Sequence, residues 1–204
     1  MTALLTHADL LHLAQAEGFA DVGVTGVELP DDAAWLQRWL AQGRHGEMGY
    51  MARHGTLRSR PQELKPGALR VISLRMDYWP QEAADANEVL GQPQLGYLSR
   101  YALGRDYHKV MRAALARVAD AMAQRISHDY RVFVDSAPLL EKALARNAGL
   151  GWIGKHTNLI ARDAGSYFFL GEILTDLPLP VDAPATDIAA VARPACRPAR
   201  RRPS

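Results

Sequence analysis

Strand-like and helix-like segments alternate along residues 4–175, and this alternation restricts the fold more than any other feature of the sequence. Apolar residues at helical spacing predict helices over residues 4–17, 32–42, 106–126 and 138–147. Short runs rich in β-forming residues predict strands over residues 21–25, 69–78, 131–135, 158–161 and 166–175. The sequence contains no internal repeat. We therefore predict an α/β fold, with α+β as the alternative, in which helices flank a central mixed sheet.

Some local details follow from the same patterns. Asp31 or Asp32 is expected to cap the second helix, and Pro138 is expected in the first turn of the fourth. The core-facing residues of the second helix are predicted to be Trp35, Leu36, Trp39 and Leu40. Residues 80–95 are rich in Pro, Gln, Asn, Gly and acidic residues, which is typical of a surface loop.

The composition changes after Asp187 to a run of Ala, Arg and Pro without periodicity. Such a run cannot bury enough apolar surface to offset the entropy lost on ordering. We predict one domain over residues 1–187 and a disordered tail over residues 188–204. The tail carries five arginines and no acid, so the other residues carry 19 basic and 22 acidic side chains. The basicity of the chain therefore belongs to the tail, and the domain gives no bulk signal for nucleic-acid binding.

Several classes of protein are disfavoured by the sequence. No apolar run approaches the roughly 20 residues needed to cross a bilayer, and the N-terminus lacks the pattern of a signal peptide. The single cysteine, Cys196, excludes an intrachain disulfide and a thiolate cluster built from this chain alone. His45 and His54 do not form a recognisable metal motif. We expect a cytoplasmic monomer that does not contact membranes and has no metal ligands of its own.

Asp135 is the first candidate for chemistry, because it follows an apolar strand and precedes a predicted helix. Ligand sites in open α/β sheets lie at such strand ends, and an acid beside an apolar ligand can hold and deliver a proton. The alternative is that Asp135 or Ser136 only caps the following helix.

Two further segments have a composition that suits ligand binding. The stretch Arg100-Tyr-Ala-Leu-Gly-Arg-Asp-Tyr-His108 combines cationic and aromatic groups that suit a flat or anionic ligand. The alternative interpretation of this stretch is a helix start capped by Asp106, with Tyr101 and Tyr107 in the core.

The stretch Gly149-Leu-Gly-Trp-Ile-Gly-Lys155 resembles a phosphate-binding loop, but His156 replaces the required Ser or Thr. We therefore reject nucleotide hydrolysis and expect these glycines to allow close approach to a large ligand. Residues 44–60, rich in arginine, are interpreted as a basic surface loop.

These segments, taken in order, resemble the epoxyqueuosine reductase family over nearly all of residues 1–187. The similar stretches are His45–Met51, Arg58–Val71, Arg100–His108, Val134–Leu139, Gly149–Asn158 and Gly165–Glu172. The resemblance is specific because several independent motifs agree in order and spacing.

The resemblance implies a cobalamin-dependent reduction of epoxyqueuosine to queuosine in the anticodon loop of tRNA. In that family, cobalamin lies between this domain and a ferredoxin-like module with two 4Fe–4S clusters. Asp135 would be the proton donor to the epoxide oxygen, and the cobalamin contacts would be Arg58, Ser99, Asp135, Leu159 and Leu170. The fold would be related to reductive dehalogenases. The resemblance does not identify the electron donor.

The tail departs from the family pattern, which continues into a cysteine-rich cluster motif after residue 187. Codons read one base out of register could encode cysteine across Ile188/Ala189, Val191/Ala192, Pro194/Ala195 and Pro198/Ala199. Their spacing is that of the bacterial ferredoxin run. We therefore hypothesise that a frameshift, or a sequencing error, replaced the iron–sulfur module. The competing interpretation is a basic arm that binds tRNA phosphates.

One cysteine cannot ligate a 4Fe–4S cluster, so we expect this chain alone to be inactive. Two other functions stay open at this point: a cobalamin-binding module without catalysis, and a tRNA-binding protein that uses the basic tail.

Overall fold

The computed structural model describes residues 5–79 and 84–186. The helices are α1 (His7–Ala16), α2 (Pro30–Ala41), α3 (Tyr50–Arg53), α4 (Pro61–Leu64), α5 (Ala86–Leu90), α6 (Tyr107–Arg125) and α7 (Glu141–Asn147), with 3₁₀ turns at Gly55–Ser59 and Arg100–Ala102. The strands are β1 (Asp21–Thr25), β2 (Arg70–Asp77), β3 (Tyr130–Val134), β4 (Trp152–Ile153), β5 (Leu159–Ile160) and β6 (Phe168–Thr175). The predicted tail at 188–204 lies outside the described residues.

Four strands form the central sheet in the order β1-β2-β6-β3, and β4 pairs with β5 in a separate small ladder. The predicted central sheet between helices is confirmed. The expected mixed pairing is wrong, because all three strand pairs of this sheet are antiparallel, and the arrangement is α+β. The apolar pattern of a strand reports which faces are buried but not the direction of its neighbours, so the sequence could not decide this point.

Helices cover both faces of the sheet. On one face, α1 and α6 pack through Leu10, Leu115 and Met122 against sheet residues that include Ile72 and Ile173. On the other face, α7 packs through Ala143 and Leu144 against Val71, Phe133 and Leu174. Because both faces are covered, most residues of β2 and β6 are buried, and β6 has a nearly continuous apolar sequence.

Helix α6 matches its prediction closely. Asp106 caps it by accepting a hydrogen bond from the backbone N–H of His108 at 3.0 Å. Its buried residues, Met111, Ala114, Leu115, Val118, Ala119 and Met122, recur at intervals of three and four. They form one stripe against the sheet, as a 3.6-residue period requires.

Four local expectations are wrong. Leu29 rather than Asp31 or Asp32 is the N-cap of α2, because Pro30 already provides a helical φ at the first position. Trp35 is 59% exposed, and of the four predicted core residues only Leu36 is fully buried.

Helix α7 begins at Glu141, well after Pro138, so neither Asp135 nor Ser136 caps it. Residues 86–90 form the short helix α5, capped by Asp85, within the segment predicted to be a loop.

Among the described residues, no helix is both long enough and apolar enough to cross a bilayer.

Gly23 allows α7 to approach the sheet. A Cβ at this position of β1 would lie 2.0 Å from the backbone oxygen of Ala148, at the end of α7. We predict that Gly23→Ala lowers the free energy of unfolding by about 1–3 kcal/mol or more, since backbone atoms would have to move. Urea unfolding should show this as a lower midpoint. Gly26→Ala is the matched control, because a Cβ there would have no atom within 4 Å among the described residues other than its chain neighbours. Equal midpoints for the two variants would contradict the prediction.

Candidate active site

Asp135 lies where β3 ends beside the start of α6, and two side chains of α6 contact its carboxylate. The Tyr107 hydroxyl donates a short hydrogen bond to Oδ2, and His108 Nε2 lies 2.9 Å from Oδ1. The other ring nitrogen of His108 lies 3.0 Å from Asp106 Oδ1. The imidazole is therefore held between two carboxylates, and both oxygens of Asp135 face proton-bearing groups.

Tyr107 is fixed by stacking as well as by its hydrogen bond. Its ring lies parallel to Phe169 of β6 at 4.1 Å, within 3°, and it also stacks on His108 at 4.0 Å. Burial, and then the hydrogen bond to Asp135, raise the pKa of the Tyr107 phenol well above its ordinary value. The phenol therefore keeps its proton at neutral pH and stays a donor to Asp135.

A cavity of about 170 Å³ opens beside this carboxylate. Its lining residues are Tyr78, Tyr107, Asp135, Glu141, Lys142, Asn158, Leu159, Ser166, Phe168, Phe169 and Leu170. Two further cavities, of about 370 and 330 Å³, adjoin it through Tyr78. The three cavities together form a cleft along one end of the sheet, with an aromatic and aliphatic wall and one polar corner. This combination is typical of small-molecule sites.

Two glutamates increase the density of carboxyl groups near Asp135. Burial, and then repulsion from Asp135, raise the pKa of Glu141 to about 7, and the neighbouring Lys142 opposes this shift. Burial, and then repulsion from Glu141 and Asp135, raise the pKa of Glu172 well above its ordinary value. Like charges in a poorly hydrated region cannot all ionise together. The cluster therefore retains protons at neutral pH.

The structure brings together three of the five predicted cofactor contacts. Asp135, Leu159 and Leu170 line the same cavity, and Ser99 lines an adjoining one. Arg58 does not line these cavities. Its carbonyl accepts from the N–H of Leu140, just before α7, and its guanidinium donates to the Tyr50 carbonyl at 3.1 Å. Its Nε is buried without a hydrogen-bond partner among the described residues.

The segment from Arg100 to His108 divides between two places. Tyr107 and His108 contact Asp135, whereas Arg100 lies over the Trp79 ring at 4.0 Å in the adjoining cavities. Asp106 caps α6 and Tyr107 packs against the core, as the alternative interpretation predicted. Tyr101 is 51% exposed, so its predicted place in the core is wrong.

The glycines of the segment 149–155 pack against the protein itself. A Cβ at Gly149 would lie 2.8 Å from the Ala183 oxygen, and one at Gly151 would lie 2.3 Å from the Ile160 oxygen. The small size of Gly151 therefore allows β5 to lie close to the start of β4, and that of Gly149 allows the backbone at Ala183 to pass close to the end of α7. The expectation that they approach a large ligand is not needed to explain them.

Sequence reasoning did not identify Glu141 and Glu172 as site residues. The signal for Glu172 was present, because a single acid interrupts the apolar run Phe168-Phe-Leu-Gly-Glu-Ile-Leu-Thr175. An acid in a strand buried on both faces needs a partner or a proton. Within residues 5–79 and 84–186, no group of three or more His, Cys, Asp or Glu side chains is placed to hold a metal ion.

Sequence comparison finds close relatives. The family model described as "Epoxyqueuosine reductase QueG, DUF1730" matches residues 58–136. An epoxyqueuosine reductase from Xanthomonas campestris is 58% identical over 175 residues, covering 85% of this chain and 49% of the relative. One from Pseudomonas aeruginosa is 59% identical over 171 residues, covering 83% of this chain and 47% of the relative. The chain thus spans about half the length of the curated relatives it matches.

Structural comparison gives the same fold. An epoxyqueuosine reductase from Streptococcus thermophilus superposes with a TM-score of 0.72 at 26% identity, covering 88% of this chain and 48% of that one. A structure of an epoxyqueuosine reductase with an epoxyqueuosine-modified tRNA stem loop has a TM-score of 0.73 at 24% identity, covering 93% and 49%. A reductive dehalogenase shares the fold at a TM-score of 0.52 and 16% identity, covering 91% and 22%. The predicted relation of the fold to reductive dehalogenases is confirmed.

The raised pKa of Glu141 predicts a pH dependence of stability. The folded chain binds this proton more tightly than the unfolded chain. Its stabilising contribution is therefore complete below the ordinary pKa of 4.5 and is lost as the pH rises through about 7. We predict that Glu141→Gln flattens the fall in stability over this range, by at most about 1.4 kcal/mol per pH unit.

Urea unfolding at several pH values checks this prediction. Glu88→Gln is the control, because Glu88 is exposed on α5. Parallel stability curves for wild type and Glu141→Gln would show that this carboxyl titrates normally.

Proposed function

Because the chain belongs to the epoxyqueuosine reductase family over the residues it shares with these relatives, we propose that it carries the substrate- and cofactor-binding part of an enzyme that reduces epoxyqueuosine to queuosine in tRNA. The observation that supports this proposal most directly is the placement of Asp135. Its carboxylate faces a partly apolar cavity and contacts two groups that carry protons, Tyr107 and His108.

Asp135 is proposed to be the proton donor. Removal of the epoxide oxygen requires two electrons and two protons, and the oxygen leaves as water. A carboxylic acid at the cavity wall can protonate that oxygen as the carbon–oxygen bond breaks. His108 and Tyr107 hold the carboxyl in position, and the Tyr107 hydroxyl donates a hydrogen bond to the carboxylate that forms. The apolar wall limits hydration of the reacting atoms.

The cleft residues fit cobalamin as the proposed cofactor. Leu159 and Leu170 give the cavity an apolar floor, and the aromatic side chains of Tyr107 and Phe169 also line it. Ser99 adds a hydroxyl in the adjoining cavity. Arg58 lies outside these cavities and is proposed as a contact because its buried Nε has no hydrogen-bond partner among the described residues. Bound cobalamin would supply electrons to the substrate. The clusters that reduce it would lie on a part of the protein not contained in residues 1–187.

The proposed partner is the anticodon loop of a tRNA that carries epoxyqueuosine, and the proposed location is the cytoplasm. The proposed division at residue 187, and the hypothesis of a shifted reading frame, are tested by the nucleotide sequence of the gene. If the restored frame encodes no cysteines after Asp187, the hypothesis fails.

The role of Asp135 is testable in a chimera that joins residues 1–187 to the remaining half of the Xanthomonas campestris relative. We predict that Asp135→Asn lowers the rate of queuosine formation by roughly 10²–10⁴-fold, because the acid is lost while the shape is kept. Mass spectrometry of digested tRNA measures the product.

Asp120→Asn is the matched control for this substitution. Asp120 also accepts a hydrogen bond from a tyrosine hydroxyl, that of Tyr130, but it does not line the cleft. A chimera that keeps full activity with Asp135→Asn, or loses as much with Asp120→Asn, would contradict the proposed role.

A second experiment separates catalysis from the two alternative functions. We predict that the absorbance change on mixing the chain with cobalamin is unaffected by deleting residues 188–204, because the proposed contacts lie between Arg58 and Leu170. A protein that binds tRNA through its tail would lose affinity on this deletion, and its affinity would fall steeply with salt. A non-catalytic cobalamin module would bind the cofactor, yet its chimera would tolerate Asp135→Asn.

A further inference from the structure

The arginines of residues 44–60 form a basic surface on a domain that is otherwise acidic. This segment carries four arginines and one acid, Glu47, whereas the rest of residues 1–187 carries 15 lysines and arginines against 21 acids. Arg44 and Arg53 are exposed, and neither side chain makes a hydrogen bond or an ion pair with another residue in the described part of the chain. Two cations of this segment are therefore available to a ligand.

A second basic group lies on the turn between β4 and β5. Lys155 and His156 are exposed on this turn, and Lys155 has no side-chain partner among the residues that the structure describes. Thr157 follows them with φ at +68°, a left-handed conformation that is costly for a β-branched residue. Lys142 of α7 donates to the Thr157 carbonyl at 3.0 Å and to Asn158 Oδ1 at 3.2 Å. The turn is therefore held against α7 with its basic residues exposed.

Both basic segments are attached to the residues at the start of α7. The Arg58 carbonyl accepts a hydrogen bond from the N–H of Leu140 at 3.0 Å, and Lys142 binds the β4–β5 turn. Glu141 and Lys142 line the proposed active-site cavity, as does Asn158 directly after the turn. The two segments are therefore attached to the wall of one cavity, and a ligand that extends out of this cavity passes close to their cations.

We propose that residues 44–53 and the β4–β5 turn bind phosphates of the RNA strand that flank the nucleotide in the cavity, with Arg44, Arg53 and Lys155 as the phosphate contacts. This inference rests on the proposed function and names the surface of this domain that contacts the RNA. Arginine and lysine bind phosphate oxygens through charge-assisted hydrogen bonds. Such contacts fix the register of the strand and leave recognition of the reacting group to the cavity.

The phosphate of cobalamin is the other source of the same chemistry. Cobalamin has one phosphodiester group, and one cation suffices to pair with it. Exposed cations on two segments suit a chain with several phosphates instead. Tyr50, about half-exposed between Arg44 and Arg53 in the sequence, adds an aromatic ring of the kind on which single-stranded nucleic acids stack their bases. The RNA backbone is therefore the ligand that this surface fits better.

Fluorescence anisotropy of a labelled RNA anticodon stem loop, titrated with the whole chain between about 50 and 200 mM salt, tests the proposal. The logarithm of the affinity falls linearly with the logarithm of the salt concentration, and the slope reports how many phosphates are neutralised. We expect Arg53→Ala and Lys155→Ala each to weaken binding at low salt and to reduce the slope by roughly 0.7–0.9. Every variant keeps residues 188–204, so the tail contributes equally to all measurements.

Arg125→Ala is the matched control. It removes the same charge from an exposed position, but Arg125 lies in the last turn of α6, at the opposite end of that helix from Tyr107. We expect this variant to keep the wild-type slope. Unchanged slopes in Arg53→Ala and Lys155→Ala, or an equal loss in Arg125→Ala, would overturn the proposal.

An absorbance titration with cobalamin separates the two sources of phosphate. We expect Arg53→Ala and Lys155→Ala to bind cobalamin as the wild type does. Weaker cobalamin binding in these variants with unchanged RNA binding would overturn the proposal in favour of the cofactor. The RNA readout needs no catalysis. Failure of the proposed function would instead appear as an active Asp135→Asn chimera, so the two failures are distinguishable.

Discussion

The antiparallel ladder between β2 and β6 is the framework on which the cleft is built, since Phe168, Phe169 and Leu170 at the end of β6 line its cavity. Eight residues of each strand pair from Arg70 with Thr175 to Asp77 with Phe168, and both faces of the ladder are covered by helices. The register sets the distribution of side chains along β6. Phe169 lies at the cleft beneath Tyr107, whereas Glu172 lies three residues further along, at the centre of the sheet. A shift of one residue would exchange the two faces and move Glu172 to the side occupied by α6.

The cleft follows from the way this sheet ends. β3 is five residues long and pairs with only part of β6, so the chain leaves the sheet at Asp135 while β6 still extends to Phe168. The exposed end of β6 then forms an apolar wall, and the start of α6 supplies Tyr107 and His108 opposite it. A carboxylate placed at this boundary has proton donors on one side and an apolar cavity on the other. That asymmetry suits an acid that must give up its proton to a bound oxygen.

The carboxyl groups of Glu141 and Glu172 reduce the stability of the folded state. Buried acids without a cationic partner disfavour folding as the pH rises. Each must either keep a proton that it would lose in water or ionise in a poorly hydrated region. The small residues of α7, Ala143 and Ala145, and the glycine at position 23 bring this helix close to the sheet and keep water away from Glu172. Tight packing at this face and raised proton affinity in the cluster therefore have the same structural origin.

The sequence by itself determined the sheet-and-helix architecture, the limits of β1 and α6, and the position of Asp135 directly after a strand. The spacing of apolar residues and the identity of capping residues decide those features, and both can be recognised in the sequence alone. The resemblance of several motifs added Leu159 and Leu170, which do share a cavity with Asp135. Only the tertiary structure decided that the strands run antiparallel, that α7 begins too late for Asp135 to cap it, that Glu141 lines the cavity, and that Glu172 is buried in the sheet. Strand direction, the first residue of a helix and the shared cavity of residues 107, 135 and 141 depend on contacts between segments distant in sequence. The apolar pattern of a segment indicates that it packs against another segment. Which segment that is depends on how the whole chain packs together.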